Sequence, residues 1–185
     1  MNRFATKTAL ALVGLALIGT ASLARTTKDV SQIERGRYLV NGTGCHDCHT
    51  PFTMGPEGPH PDMSRMLTGH PEDLDMPPAP DLGDGPWVTA ASGTNTAWAG
   101  PWGVSFTANL TPDEETGIGL WSEEEFIATL RTGRHLGRGR EILPPMPWPV
   151  YGQLSDGDLG AIFAYLKSLP PVHNRVPAPR APAAR

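Results

Sequence analysis

Three stretches of the chain carry apolar residues at helical spacing, each with start and stop signals. From 28 to 40, Ile33, Gly36 and Val40 fall on one face, Asp29 or Ser31 can cap the start, and the pattern runs out at Asn41-Gly42-Thr43-Gly44. Gly36 costs about 1 kcal/mol relative to alanine inside a helix. Its presence predicts that another helix approaches closely there. From 122 to 133, Ser122 and Glu125 form a capping box and Trp121 with Phe126 a hydrophobic staple. Phe126, Ile127 and Leu130 make the apolar face, and Gly133 ends it. From 155 to 168 the same signature recurs in Leu154, Ser155, Asp158 and Leu159. The stripe is Leu159, Ile162, Phe163, Leu166 and Leu169, and Pro170-Pro171 close it.

Residues 51–106 have a different texture. Ten of the 56 are proline and eight glycine, a density that forbids a long helix or a central strand. Trp87, Trp98, Trp102 and Phe106 speak against plain disorder, so the segment is expected as an ordered wrap around a flat apolar object. Within it a short helix is expected at 62–68, with Met63, Met66 and Leu67 inward, and a weak hairpin between 87–90 and 104–107. Arg134 to Arg140 is basic and glycine-rich and is expected as a solvated loop. After Val176 the chain is mostly Pro, Ala and Arg and is expected to be disordered over 176–185.

Residues 1–24 have the form of a secretory signal. Arg3 and Lys7 precede a ten-residue apolar run, Ala9 to Ile18, and small residues up to Ala24 mark a cleavage site. The expected domain is 25–175, exported to the periplasm. An uncleaved anchor is the alternative, although ten apolar residues are short for a membrane span. The net charge is −4, and losing a leader with two bases and no acids makes the remainder more negative. Nucleic acid and anionic lipid are therefore poor partners.

The chemistry centres on Cys45-His46-Asp47-Cys48-His49, which holds the only two cysteines. C-x-x-C-H is the attachment pattern of haem c. Residues three and four apart share a helical face. Two thiols so spaced can reach the two vinyl groups of a porphyrin, and His49 can reach the iron. A thioredoxin-like redox pair wants a βαβ setting, which the pattern lacks, and a zinc site wants four ligands. A structural disulfide is the remaining alternative. One motif implies one haem. For the sixth ligand, Met146 stands out, held between Pro144, Pro145, Pro147 and Pro149 just before the last helix. The other candidates are Met54, Met63, Met66 and Met76, with His46, His60, His70, His135 and His173.

On these residues the chain resembles a class I cytochrome c. The carriers are Gly36 and Tyr38, the Cys45–His49 motif, Met146, and Tyr165-Leu166-Lys167-Ser168-Leu169. A closer resemblance, to the cytochrome domains of bacterial periplasmic alcohol and gluconate dehydrogenase systems, rests on Asn109-Leu110-Thr111-Pro112-Asp113, Thr116-Gly117-Ile118-Gly119 and Ser122 to Phe126. The resemblance implies an all-α fold of three to five helices around one covalent haem, with a long Pro/Gly/Trp-rich insertion. It implies crossing first and last helices, with Gly36 against Tyr165 or Phe163, and Asn109 and Thr111 beside a haem propionate.

The expected function is one-electron transfer. Cys45 and Cys48 hold the haem, and His49 and Met146 bind the iron. The partners would be redox proteins: a periplasmic or membrane-bound dehydrogenase, an oxidase or another cytochrome. No membrane span is expected after signal cleavage. With both axial positions filled, the iron has no open site, and no enzymatic activity is expected. The alternative is a peroxidase-like or gas-binding haem protein with a displaceable sixth ligand, served by His135 or Arg134. A third reading keeps the cysteines as thiols of a disulfide oxidoreductase.

Overall fold

The computed structural model describes residues 29–182; the expected signal sequence and its cleavage site lie outside them. Helix α1 occupies 29–42 and leads into the single turn α2, Cys45–His49. Ser31 sits inside α1 and is not its cap. Helices α3 (Glu123–Thr132), α4 (Trp148–Tyr151) and α5 (Asp156–Ser168) follow in the second half. In α3 both halves of the Ser122–Glu125 capping box are present, and Gly133 ends the helix at φ 65°. In α5 the Ser155 hydroxyl accepts from the Asp158 amide.

The Gly36 expectation holds. A Cβ there would lie 1.9 Å from the Ala161 carbonyl oxygen and 2.7 Å from Tyr165 Cβ, so α1 crosses α5 backbone against side chain. Arg35 and Asp158 pair across the crossing at 2.9 Å. Below it lies the main core, built from Leu39 and Val40 of α1, Phe126 and Leu130 of α3, and Leu159, Ile162, Phe163 and Leu166 of α5.

The expectation of an all-α fold is overturned. Among the described residues only three helices reach seven residues, and two antiparallel sheets fill part of 51–106. One pairs β1 (Phe52–Gly55) with β2 (Gly58–Pro61); the other has the order β3 (Ala90–Ala91), β4 (Ala97–Gly100), β5 (Gly103–Phe106). The prolines do not prevent this. Thr53 pairs with His60 and Gly55 with Gly58, so Pro59 and Pro61 fall at the alternate positions whose missing N–H would point out of the ladder. Strands of four residues are also too short to show a period.

Local expectations in this segment need correcting too. The hairpin forms, but β5 pairs with Ala97–Gly100 through a two-residue turn, and Ala90–Ala91 pairs with β4 instead. Trp87 is exposed. The expected helix at 62–68 shrinks to one 3-10 turn, Met63–Arg65, because Asp62 caps Ser64 and Leu67 turns to φ 60°. Met63 points outward while Leu67 is fully buried. The basic loop closes on itself through Arg134–Glu141 and reaches α3 through Arg138–Glu125. The tail expected to be disordered is extended and docked as far as it is described: Val176 packs on the second sheet and Arg180 pairs with Val104.

Candidate functional site

The site starts where α1 stops. Thr43 turns both its amide and its hydroxyl onto the Leu39 carbonyl, and Gly44 takes φ 79° to start α2 at a new angle. One turn of helix then puts Cys45, Cys48 and His49 on one side. Both cysteines are free thiols and half-buried. Burial pushes both thiols above the usual range, with Asp47 adding to the effect at Cys48.

The two histidines of the motif have different jobs. His46 sits between Thr50 Oγ1 at 2.9 Å and Asn41 Oδ1 at 3.0 Å, so both ring nitrogens are engaged. His49 is buried, with Nδ1 2.8 Å from the Ala108 carbonyl oxygen. A carbonyl only accepts, so Nδ1 must carry the proton and Nε2 keeps its lone pair. Burial pushes the imidazole below its ordinary pKa, holding it neutral. A neutral imidazole with Nδ1 tied to a carbonyl is the form a metal ligand needs.

The carbonyl is held by a local scaffold. Residues 67–70 run beside 107–110, through Leu110 N–H to the Leu67 carbonyl and His70 N–H to the Thr107 carbonyl, while Gly69 N–H donates to the His49 carbonyl. Gly69 has φ 77°, and a Cβ there would meet Thr107 O and Ala108 C at 2.5 Å, so only glycine lets the two strands of chain approach. Thr50 is fully buried and accepts the Leu67 amide through Oγ1, fixing α2 to the same scaffold.

Met146 is half-buried against the main core, alongside Cys45, Met66 and Leu110. Its segment is anchored from both sides. The Ser105 hydroxyl of β5 donates to the Pro144 carbonyl at 2.6 Å, and the Tyr151 hydroxyl of α4 donates to the Thr43 carbonyl at 2.6 Å. Beside the Tyr151–Thr43 bond is an open pocket of about 290 Å³ lined by Thr43, Pro147, Val150, Tyr151 and Leu154. Thus α4 ties the Met146 segment to the start of the cysteine turn. Sequence reasoning missed Ala108, Ser105 and Tyr151. A carbonyl's role leaves no trace in residue type, and a serine or tyrosine outside a motif has no distinguishing signal.

Met66 packs against the same core as Met146; other candidates lie elsewhere. Met54 and Met63 are 76% and 56% exposed. His70 is buried between Thr96 Oγ1 and the Leu74 carbonyl, and His173 lies between Glu72 and Asp113. His135 stacks edge-on against Trp121. Asn109 and Thr111 are buried with their polar groups committed: Asn109 Oδ1 accepts the Thr111 amide and hydroxyl, and Asn109 Nδ2 donates to the Val172 carbonyl and to Thr116 Oγ1. Thr111 Oγ1 also accepts the Val172 amide. They clamp the C-terminal segment. Among the described residues no three His, Cys, Asp or Glu side chains gather into a metal-binding group. No helix of the described residues is long and apolar enough to cross a membrane.

The donor set fits a haem c: two free thiols three residues apart on one helical turn, a neutral imidazole with a free nitrogen on the same turn, and a half-buried thioether packed against the main core. No protein-family model matches the chain. It is 29% identical over 159 residues, 86% of its length, to the cytochrome c subunit of gluconate 2-dehydrogenase from Pantoea cypripedii. It is 28% identical over 155 residues, 84% of its length, to the cytochrome c subunit of a quinone alcohol dehydrogenase from Gluconobacter oxydans. It is 28% identical over 158 residues, 82% of its length, to the cytochrome subunit of fructose dehydrogenase from Gluconobacter japonicus. The chain spans 28%, 25% and 25% of these three relatives' lengths respectively. Over most of its own length it is related to cytochrome c subunits of dehydrogenases.

Proposed function

We propose that this relative of dehydrogenase cytochrome c subunits is a periplasmic one-electron carrier with a single haem c, bound covalently through Cys45 and Cys48 and ligated by His49 and Met146. It passes electrons between a dehydrogenase, or another donor, and a respiratory acceptor, and transforms no substrate of its own. The observation that carries the reading is the His49 tautomer: Nδ1 is fixed on the Ala108 carbonyl, one turn from two free thiols. When bound, the haem supplies an iron that cycles between ferrous and ferric states. The chain's part is to hold and insulate it. The Ala108 carbonyl orients the imidazole and keeps it basic. The thioether of Met146, soft and neutral, favours the ferrous state and raises the potential. Cys45, Leu110 and Met146, each half-buried, pack against the same main core.

The test is the absorption spectrum of the protein made in a host with haem c maturation machinery, oxidised and reduced, together with its mass under denaturing conditions. Covalent haem, a sharp reduced α band and a weak near-infrared sulfur-to-iron band in the oxidised protein support the reading. A high-spin spectrum, or one that changes at once with CO, means an open iron and an enzyme or sensor instead. A protein that stays colourless rejects haem altogether.

A further inference from the structure

His70 is fully buried, and both of its ring nitrogens are engaged. Nε2 lies 3.2 Å from the Leu74 carbonyl oxygen, which can only accept. Nε2 therefore carries the ring proton, and Nδ1 is an acceptor. That fixes the direction of every hydrogen bond behind it. Nδ1 receives the Thr96 hydroxyl at 2.9 Å. Thr96 Oγ1, its own proton committed, accepts from the Thr94 hydroxyl at 2.7 Å, and Thr94 Oγ1 accepts from Ser92 at 3.0 Å. Ser92 Oγ in turn accepts the amides of Thr96 and Ala97 at 3.2 and 3.0 Å. Three hydroxyls thus form a one-way chain that ends on the imidazole.

The same residues build a turn that grips the cysteine helix. Between β3 and β4, Asn95 takes φ 56°, a left-handed conformation that asparagine tolerates, and its amide donates to the Ser92 carbonyl. From there Asn95 Nδ2 donates to the Asp47 carbonyl at 2.5 Å, inside α2. The Thr94 carbonyl accepts the Phe52 amide at 2.8 Å, just beyond α2. The turn that leans on the cysteine helix is therefore braced from behind by the hydroxyl chain to His70.

We infer that the Ser92–Thr96 turn is an acid-released latch on the cysteine helix, with His70 as its proton sensor. The latch goes beyond the proposed function, since all its parts are protein. When His70 takes a proton, Nδ1 becomes a donor. Thr96 must then accept from it and turn its own hydroxyl to Thr94, and Thr94 must turn to Ser92. Ser92 cannot complete the reversal, because a hydroxyl has two acceptor positions and two amides hold both. An amide or the Thr94 hydroxyl lets go, and the turn loosens its hold on Asp47 and Phe52. The charged groups that act on the ring are Arg65 of the 3-10 turn, Asp73 of the following loop and Arg180 of the C-terminal segment. Arg65 pairs with Asp73 and Arg180 with Asp75, while Glu72 faces His173 and accepts the Arg175 amide, so each carboxylate nearby already has a partner. Burial, with the Phe106 ring 4.8 Å away, keeps the imidazole neutral to below the ordinary histidine range. The latch is shut at neutral pH and opens in acid.

The test is ¹⁵N NMR with amide exchange on the full-length protein, in its ferrous haem-bound form, from pH 7.5 to 4.5. His70 should show the Nε2–H tautomer at pH 7.5. As it titrates, the Asn95 side-chain amide should move with the same midpoint. The Phe52 and Thr96 amides, corrected for intrinsic exchange, should lose at least about tenfold in protection, while Leu166 in α5 keeps its own. In His70→Phe the protection of Phe52 should no longer respond to pH; the wild-type spectra decide the matter even where that variant folds poorly. An Nδ1–H tautomer, a His70 that stays neutral to pH 4.5, or an Asn95 amide and Phe52 protection that ignore its ionisation would each overturn the latch. A chain without covalent haem overturns the haem reading instead, and the same spectra of the haem-free protein then judge the latch.

Discussion

At His49 a single hydrogen bond decides which nitrogen is available, and a backbone atom 59 residues away supplies it. Met146 has no such fixed partner; its position comes from the Ser105–Pro144 bond and the packing of its thioether. On the proposed haem reading, replacing Met146 by Ala should leave the haem covalently attached, because Cys45, Cys48 and His49 are untouched. It should lower the midpoint potential by on the order of 0.1 V or more, since axial ligands move potentials over roughly 0.8 V, and let CO bind at once. An unchanged potential would remove Met146 from the iron. His70 makes a different residue-scale case. It is fully buried, with Nε2 on the Leu74 carbonyl, Nδ1 on the Thr96 hydroxyl and its ring 4.8 Å from Phe106. Burial, with lesser pushes from Arg180 and Arg65, depresses its pKa against the opposing pull of Leu74 O and Asp73. The unfolded chain then takes up a proton near pH 6.5 that the folded one refuses. Stability is complete above that pH and declines as pH falls below it, by at most about 1.4 kcal/mol per pH unit from this one group. Denaturant unfolding at pH 7.5 and 5.5 should show a shallower decline in His70→Phe than in the wild type. Equal declines would mean that His70 does not titrate as its surroundings require.

At the level of elements, the α1–α5 crossing is the contact the fold depends on most visibly. Gly36 leaves no room for a methyl group against the Ala161 carbonyl. Gly36→Ala gains up to about 1 kcal/mol in helix propensity and loses more in overpacking, which typically costs about 1–3 kcal/mol. The melting temperature should fall by several degrees, at roughly 2–4 °C per kcal/mol for a domain of this size; a variant as stable as the wild type would mean the helices part easily. This crossing was legible in advance because a glycine in mid-helix is a local anomaly with few explanations. The Ser122–Glu125 capping box and the cysteine turn were legible for the same reason: each is a short pattern with its own physics, whereas at α5 only the Ser155 half of the expected box forms. The two sheets were not. Their strands are four residues or fewer, with prolines at out-facing positions, and their pairing is set by turns and by what covers each face. Asn109 and Thr111 were expected beside a haem propionate; in the structure their side chains hold Val172, a contact that no spacing encodes.

Across the whole molecule, the C-terminal segment after α5 is what joins the helical part to the sheets. Val172 is held by Asn109 and Thr111. Asn174, buried, donates from Nδ2 to the carbonyls of Thr68 and His70, accepts the Glu72 amide at Oδ1, and donates its own amide to Thr116. Farther on, Arg180 exchanges both backbone hydrogen bonds with Val104 at 2.9 Å and lies 5.5 Å over the Phe106 ring. A composition of Pro, Ala and Arg hides this, because the hydrogen bonds come from backbone atoms and one arginine, which any sequence of that kind could offer. Val104 N–H points away from β4 and has Arg180 as its partner. Ending the chain after Arg175 should keep the Asn174 contacts and lose the edge pairing, the Val176 packing and the cation–π contact. Two backbone hydrogen bonds at about 1 kcal/mol each and an exposed cation–π pair at about 0.5–1 kcal/mol put the loss near 2–3 kcal/mol. Hydrogen exchange reads the effect locally: the Val104 amide should exchange at least about tenfold faster, since losing about 1.4 kcal/mol of protection is already a factor of ten, while Leu159 in α5 changes far less. Equal protection of Val104 in the two proteins would show that β4 alone holds the edge and that the last ten residues are dispensable to the sheet.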